Sequence, residues 1–142
     1  MDLFRSINEL YYELVLENLR SMNKDKLYNN LTYNSLLYLE VIQHNENCTP
    51  SFLAETLHVA RSAVTIKVNE LIAKGLVIKT PSQEDKRVYH LKVSPHFTEE
   101  YTAYDKSLQS AIQEIEENFD DKEIAGFIRM MEIIKKNYGR EL

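Results

Sequence analysis

TPSFLAETLHVARSAVTIKVNELIAKGLVIKTPSQEDKRVYHLKV, from Thr49 to Val93, is the stretch on which the fold turns. Thr49-Pro50 starts a helix, with a hydroxyl at the N-cap and a proline at the first helical position, where its missing N–H costs nothing. Phe52, Leu53 and Leu57 ride on that short helix, and His58-Val59-Ala60 reads as a turn. A longer helix follows from Arg61 to Lys74, with Val64, Val68, Leu71 and Ile72 as its apolar stripe and Gly75 as its C-terminal stop. Leu76–Lys79 reads as a strand, Pro81–Lys86 as a polar hairpin loop and Val88–Val93 as the return strand, with Tyr89, Leu91 and Val93 on one face. Two helices around a tight turn, followed by a β-ribbon with a basic tip, make a winged helix-turn-helix.

Charge supports that reading. Residues 59–92 hold seven Lys/Arg against three acids, a net of +4, while the rest of the chain has ten bases and nineteen acids, a net of −9. The overall charge of −5 therefore conceals a positive segment. Binding to a phosphate backbone needs a local positive face rather than a basic average.

Before this stretch, Leu3, Ile7, Leu10 and Leu14 mark an amphipathic helix reaching to about Met22. Lys24–Asn30 is a polar turn, and a second helix starts near Thr32 with Leu36, Leu39 and Ile42 on one side. After the ribbon, Ser94-Pro95 repeats the cap-then-proline signal. The helix it opens carries Phe97, Tyr101, Tyr104, Leu108, Ile112, Ile115 and Phe119. Asp120 with Glu123 forms a capping box for a last helix bearing Ile124, Phe127, Ile128, Met131, Ile134 and Tyr138. The fold class expected is mainly α with a small β-wing. A single domain covers 1–142, with a winged core at 31–94 and dimerisation helices at 1–30 and 95–142.

The order of elements resembles the MarR family of bacterial transcriptional regulators over nearly the whole chain. The residues that carry the likeness are Leu53 to Thr65, then Leu71-Ile72-Ala73-Lys74-Gly75-Leu76-Val77, then Glu84-Asp85-Lys86-Arg87. Asp85 and Arg87 meet the family's wing signature, an Asp followed two residues later by Arg. The resemblance implies a DNA-binding regulator, a homodimeric repressor released by a small-molecule effector. The chain departs from the family pattern at Ile66, where a basic residue is frequent, and at Ala60, where a hydroxyl usually caps the helix.

In that arrangement the Arg61–Lys74 helix enters the major groove. Burial of Val64, Val68 and Leu71 turns Ser62, Thr65, Ile66 and Asn69 outward. Asn69 can bond an adenine edge bidentately and Ile66 can pack on a thymine methyl. Arg61 and Lys67 are candidates for phosphates, which position without reading sequence. Lys86 and Arg87 offer charge at the wing tip, Arg87 to the narrow minor groove, with Asp85 orienting it by an ion pair as the family likeness implies.

One recognition helix makes too few contacts for a tight site. Leu3, Phe4, Ile7, Leu10, Ile124, Ile128 and Met131 are therefore candidates for a dimer seam. A two-fold dimer would space two recognition helices roughly 34–36 Å apart and demand a near-palindromic operator of double-stranded DNA. Small aromatic acids release many family members. Tyr11, Tyr12, Tyr33 and Tyr38, among nine tyrosines, lie on segments able to line such a cleft, although a tyrosine on a helix stripe more often packs than binds.

Other chemistry finds less support. Cys48 is the sole cysteine, which excludes an intrachain disulfide and favours a reducing compartment. No fixed positive neighbour marks it as reactive, and an inert thiol is expected. His44, Cys48, His96, Glu99 and Glu100 match no zinc spacing, so no metal and no cofactor are expected. Enzyme motifs are missing: there is no phosphate-cradling glycine loop, no nucleophile elbow and no paired histidines. No apolar run approaches a membrane span and the first residues lack a signal-peptide pattern, so a cytoplasmic location is expected. The alternative function is a winged-helix protein-interaction module without DNA binding, favoured by the acidic total charge and by Ile66.

Overall fold

The computed structural model describes residues 2–24 and 31–138, and within its helices the side chains of 21–24, 96 and 99–105 lie outside the description. The expected turn at Lys24–Asn30 therefore falls almost wholly outside the described residues, as do the side chains of Tyr101, Tyr104, His96, Glu99 and Glu100. The elements run α1 (Leu3–Lys24), α2 (Tyr33–His44), α3 (Pro50–Leu57), α4 (Arg61–Ala73), β1 (Val77–Pro81), β2 (Tyr89–Val93), α5 (Pro95–Asn118) and α6 (Asp121–Asn137). The chain is mainly α with a small antiparallel β-wing.

Local chemistry sets the helix boundaries. Thr32 caps α2 by accepting from Ser35 N–H, and Thr49 caps α3 by accepting from Phe52 N–H, both at 3.1 Å. α3 ends on His58, which takes the left-handed conformation at φ 55° that glycine adopts most easily. α4 starts at Ala60 with no side-chain cap. It closes in a Schellman turn: Leu76 N–H donates to Leu71 C=O at 3.0 Å and Gly75 N–H to Ile72 C=O at 2.9 Å. Gly75 sits at φ 72°, and a Cβ there would meet nothing within 4 Å, so backbone conformation rather than space calls for glycine. Asp120 and Glu123 form the reciprocal capping box of α6.

The chain divides into two compact units, Met1–Thr98 and Glu99–Leu142. In the first, Leu36, Tyr38, Leu39 and Ile42 of α2, Leu53 of α3, Val64, Val68 and Leu71 of α4, and Val77 and Leu91 of the wing form the core. The division falls beyond Ser94 because Phe97, in the first turn of α5, is itself fully buried, with its N–H bonded to Ser94 Oγ at 3.4 Å. β1 and β2 pair from Val77↔Val93 to Pro81↔Tyr89, so β1 runs two residues past Lys79. The wing gains a third edge where Leu91 N–H donates to Cys48 C=O at 2.7 Å. That pairing joins residues distant in sequence and leaves no local mark.

Candidate nucleic-acid interface

The burial of Val64, Val68 and Leu71 decides what α4 shows to solvent. Residues three and four apart share a helix face, so the opposite face carries Arg61, Ser62, Thr65, Ile66 and Asn69, all exposed. Ile66 is 70% exposed, the most open apolar side chain of the winged core.

Two of these side chains are already engaged. Arg61 Nη1 donates to Ser51 Oγ on α3, which ties the first turn of α4 back to the preceding helix. Thr65 Oγ1 donates to Arg61 C=O at 3.1 Å, so its hydroxyl faces outward only as an acceptor.

Lys67, a candidate for phosphates, is bonded within the chain. It lies three residues after Val64 and four before Leu71, on the flank of the buried stripe, and its side chain is only 17% exposed. Its ammonium donates to Ser35 Oγ of α2 at 3.1 Å and to Glu70 Oε2 at 3.2 Å. Lys74 Nζ donates to the other Glu70 oxygen at 3.2 Å. These hydrogen bonds, Lys67 first and Lys74 second, hold the Glu70 carboxyl below its usual range. Ser35 and Glu70 were not singled out from sequence. Ser35 had a signal, a hydroxyl on the same face of α2 as Leu39 and Ile42, because a polar group on a buried stripe needs a partner.

In the loop of the wing, Asp85 Oδ1 accepts from both Arg87 N–H at 3.0 Å and Arg87 Nε at 3.3 Å. The Arg87 side chain is 91% exposed. Ser82 Oγ accepts from Asp85 N–H at 3.4 Å, while Val88 N–H donates to Asp85 C=O at 3.0 Å. Lys86 is exposed beside Arg87. Lower on the ribbon, Lys79 Nζ lies 4.0 Å from the centre of the Tyr89 ring, a cation–π contact that steadies the two strands against each other.

The candidate seam residues are distributed over both units. Leu3, Phe4 and Leu10 on α1 are exposed, Phe4 at 78%, and Ile7 is half-buried. On α6 Ile128 and Met131 are exposed, while Ile124 is half-buried. Ile124 lines an apolar groove of about 520 Å³ between α5 and α6, together with Ile115, Phe119, Phe127 and Met130.

The four tyrosines are not equivalent. Tyr38 is sealed in the core, so packing claims it. Tyr11 and Tyr12 are exposed on α1, and Tyr33 is exposed in the first turn of α2. Cys48 is 1% exposed, and its desolvation pushes the thiol up to about 11. Among the described residues no group of three or more His, Cys, Asp or Glu is placed to hold a metal ion. No described helix is long and apolar enough to cross a membrane.

Residues 29–88 match the model of the MarR family. A protein assigned to regulation of the hcr operon in Thauera aromatica is 28% identical over 93 residues, which are 66% of this chain but only 56% of that relative. The HTH-type transcriptional regulator YdgG of Bacillus subtilis (strain 168), itself uncharacterised, is 24% identical, with 96% of this chain and 92% of the relative covered. Among solved structures, FabT of Streptococcus pneumoniae in complex with DNA superposes with a TM-score of 0.65 at 20% identity, covering 94% of this chain and 95% of that one. At that identity the likeness speaks for the fold.

Proposed function

We propose that this chain, whose residues 29–88 match the MarR family of transcriptional regulators, acts as a homodimeric repressor that reads double-stranded DNA and lets go when a small molecule binds. Members of that family are regulators rather than enzymes. The observation that carries the DNA reading is the pairing of two features. One is the open face of α4, Ser62, Thr65, Ile66 and Asn69; the other is an arginine at the wing tip, Arg87, oriented by Asp85. A helix face with polar ends and an apolar centre suits base edges and thymine methyls in a major groove. An arginine held out from a ribbon suits the negative potential of a narrow minor groove. Arg61 and Lys86 supply charge for phosphates beside them. The FabT neighbour was solved on DNA, which supports the same use of the shared fold.

Exposed apolar side chains on α1 and on α6 support homodimerisation. Leu3, Phe4 and Leu10 on α1 are exposed with Ile7 half-buried beside them, and on α6 Ile128 and Met131 are exposed with Ile124 half-buried. Two copies around a two-fold axis would double the contacts and match an inverted repeat. Tyr11, Tyr12 and Tyr33 remain the candidates for an effector cleft beside such a seam.

Selection of bound sequences from a random duplex library tests this, combined with the salt dependence of the winner's affinity. The reading predicts an enriched inverted repeat with half-sites about ten base pairs apart and a steep salt slope. A protein that enriches nothing at any salt concentration would shift the assignment to a winged-helix module for protein partners. That second reading draws on the exposed Ile66 and on the withdrawal of Lys67 from the helix face.

A further inference from the structure

Lys67, like Arg61, reaches from α4 to another helix, but its acceptor there is fully buried. An ammonium can only donate, so Ser35 Oγ must accept from it at 3.1 Å. Thr32 Oγ1 lies 3.1 Å from Ser35 Oγ, a hydrogen bond in which either hydroxyl can donate. Thr32 Oγ1 also accepts from Ser35 N–H and so caps α2. The result is a chain of hydrogen bonds that links Lys67 through Ser35 to the N-cap of α2. Ser35 is fully buried, so its hydroxyl has no solvent to replace the lysine. At its other end Lys67 is held by Glu70, which also receives Lys74. To reach a DNA phosphate, Lys67 would have to leave both a buried acceptor and a carboxylate partner.

We infer that Lys67 is a positioning residue, which locks the middle of α4 to the start of α2 and so fixes the angle at which Ser62, Thr65, Ile66 and Asn69 meet DNA, and that it neutralises no phosphate. The inference rests on the DNA-reading function proposed above. It has a physical consequence that separates it from the expected role. Each phosphate contact contributes about 0.9 to the slope of log affinity against log salt, whereas a group acting through helix geometry contributes nothing to that slope.

The full-length protein and its Lys67→Met, Lys67→Arg and Lys86→Met variants would be titrated by fluorescence anisotropy over a range of salt. The probe is the duplex enriched by the wild type, and the temperature is one where circular dichroism shows every variant folded. Lys67→Met is expected to bind roughly tenfold more weakly with an unchanged slope. Lys67→Arg, which can still donate to both partners, is expected to recover most of the affinity. Lys86→Met is the control, with a slope smaller by about 0.9. In amide NMR spectra without DNA, Lys67→Met should move the Ser35 resonance and leave those of the wing in place. A slope loss of about 0.9 in Lys67→Met would overturn the inference and make Lys67 a phosphate ligand. Unchanged affinity would overturn it too, as would an unmoved Ser35 amide. If the wild type enriches no duplex, the DNA reading itself fails. A shifted Ser35 amide would then show the α2–α4 tie serving some other partner, which ends the DNA-positioning role, and an unshifted one would remove the tie as well.

Discussion

Asp85 grips Arg87 at two points with one oxygen: Oδ1 accepts from the arginine's own backbone N–H at 3.0 Å and from its Nε at 3.3 Å. The first bond shapes the turn and the second aims the side chain, so a short acidic residue two positions upstream both builds the wing tip and orients its charge. The Arg87 guanidinium remains 91% exposed and keeps its Nη groups for a ligand.

Arg87→Glu is therefore expected to weaken binding to every duplex, specific or not, and to lower the salt slope by about 1. Asp85→Ala should weaken binding less, because the arginine keeps its charge and loses only its preferred orientation; an exposed pair of this kind contributes at most about 1 kcal/mol. Anisotropy titrations of both variants on specific and random duplexes measure the difference. Equal affinities for wild type and Arg87→Glu would take the wing out of the interface.

Asn69 lies on the open face of α4, one helical turn beyond Thr65. If its amide bonds a base edge, Asn69→Ala should relax the preference at one or two base pairs of the operator at a cost of about 1–3 kcal/mol. Repeating the library selection with this variant reads the change position by position. An unaltered sequence preference would assign Asn69 to the solvated surface.

Apolar residues left in water on α1 and α6 give the dimer a direct test. Leu10→Glu and Ile128→Glu each place a charge where the proposed seam would bury it, which carries a penalty of several kcal/mol in an apolar contact. Sedimentation should report two chains for the wild type and one for the variants. A single-chain mass for the wild type at micromolar concentration would remove dimerisation from the reading.

Cys48 titrates in a direction that can be checked by stability. Burial raises its thiol from an ordinary value of 9.0 to about 11 in the folded chain. Between those values the unfolded chain loses the proton first, so the unfolded state binds fewer protons and folding stability falls as pH rises. The contribution is fully present below pH 9 and is gone above about 11. Urea denaturation across that window should show the loss, and Cys48→Ala should flatten this part of the profile. Alkylation by iodoacetamide at pH 8 should be slow in the native protein and fast in urea. Rapid native alkylation would contradict the inert buried thiol.

How much of this was legible in the sequence varies with the range of the interaction. The caps at Thr49, Gly75 and Asp120 and the stripe Val64–Val68–Leu71 are local, so spacing alone placed them. The same periodicity put Ser62, Thr65, Ile66 and Asn69 outward, where they lie. The contacts of Lys67 with Ser35 and Glu70 were not legible, because a helical wheel says only that it borders the stripe. Whether a flanking lysine snorkels to water or turns to a neighbour depends on what that neighbour presents.

The order of elements, the helix-turn-helix and the basic ribbon are written locally, because caps, turns and apolar periods act over a few residues and carry their instructions with them. Tertiary structure alone decided which charges remain available. Ser35 stands 32 positions before Lys67 in the chain, yet its Oγ lies 3.1 Å from the lysine's ammonium, which Glu70 also holds. Cys48 pairs with Leu91 in the same way, closing the edge of the wing and burying the thiol. Such contacts form only when distant segments pack, since a buried hydroxyl or carbonyl takes whatever partner the folded neighbour supplies.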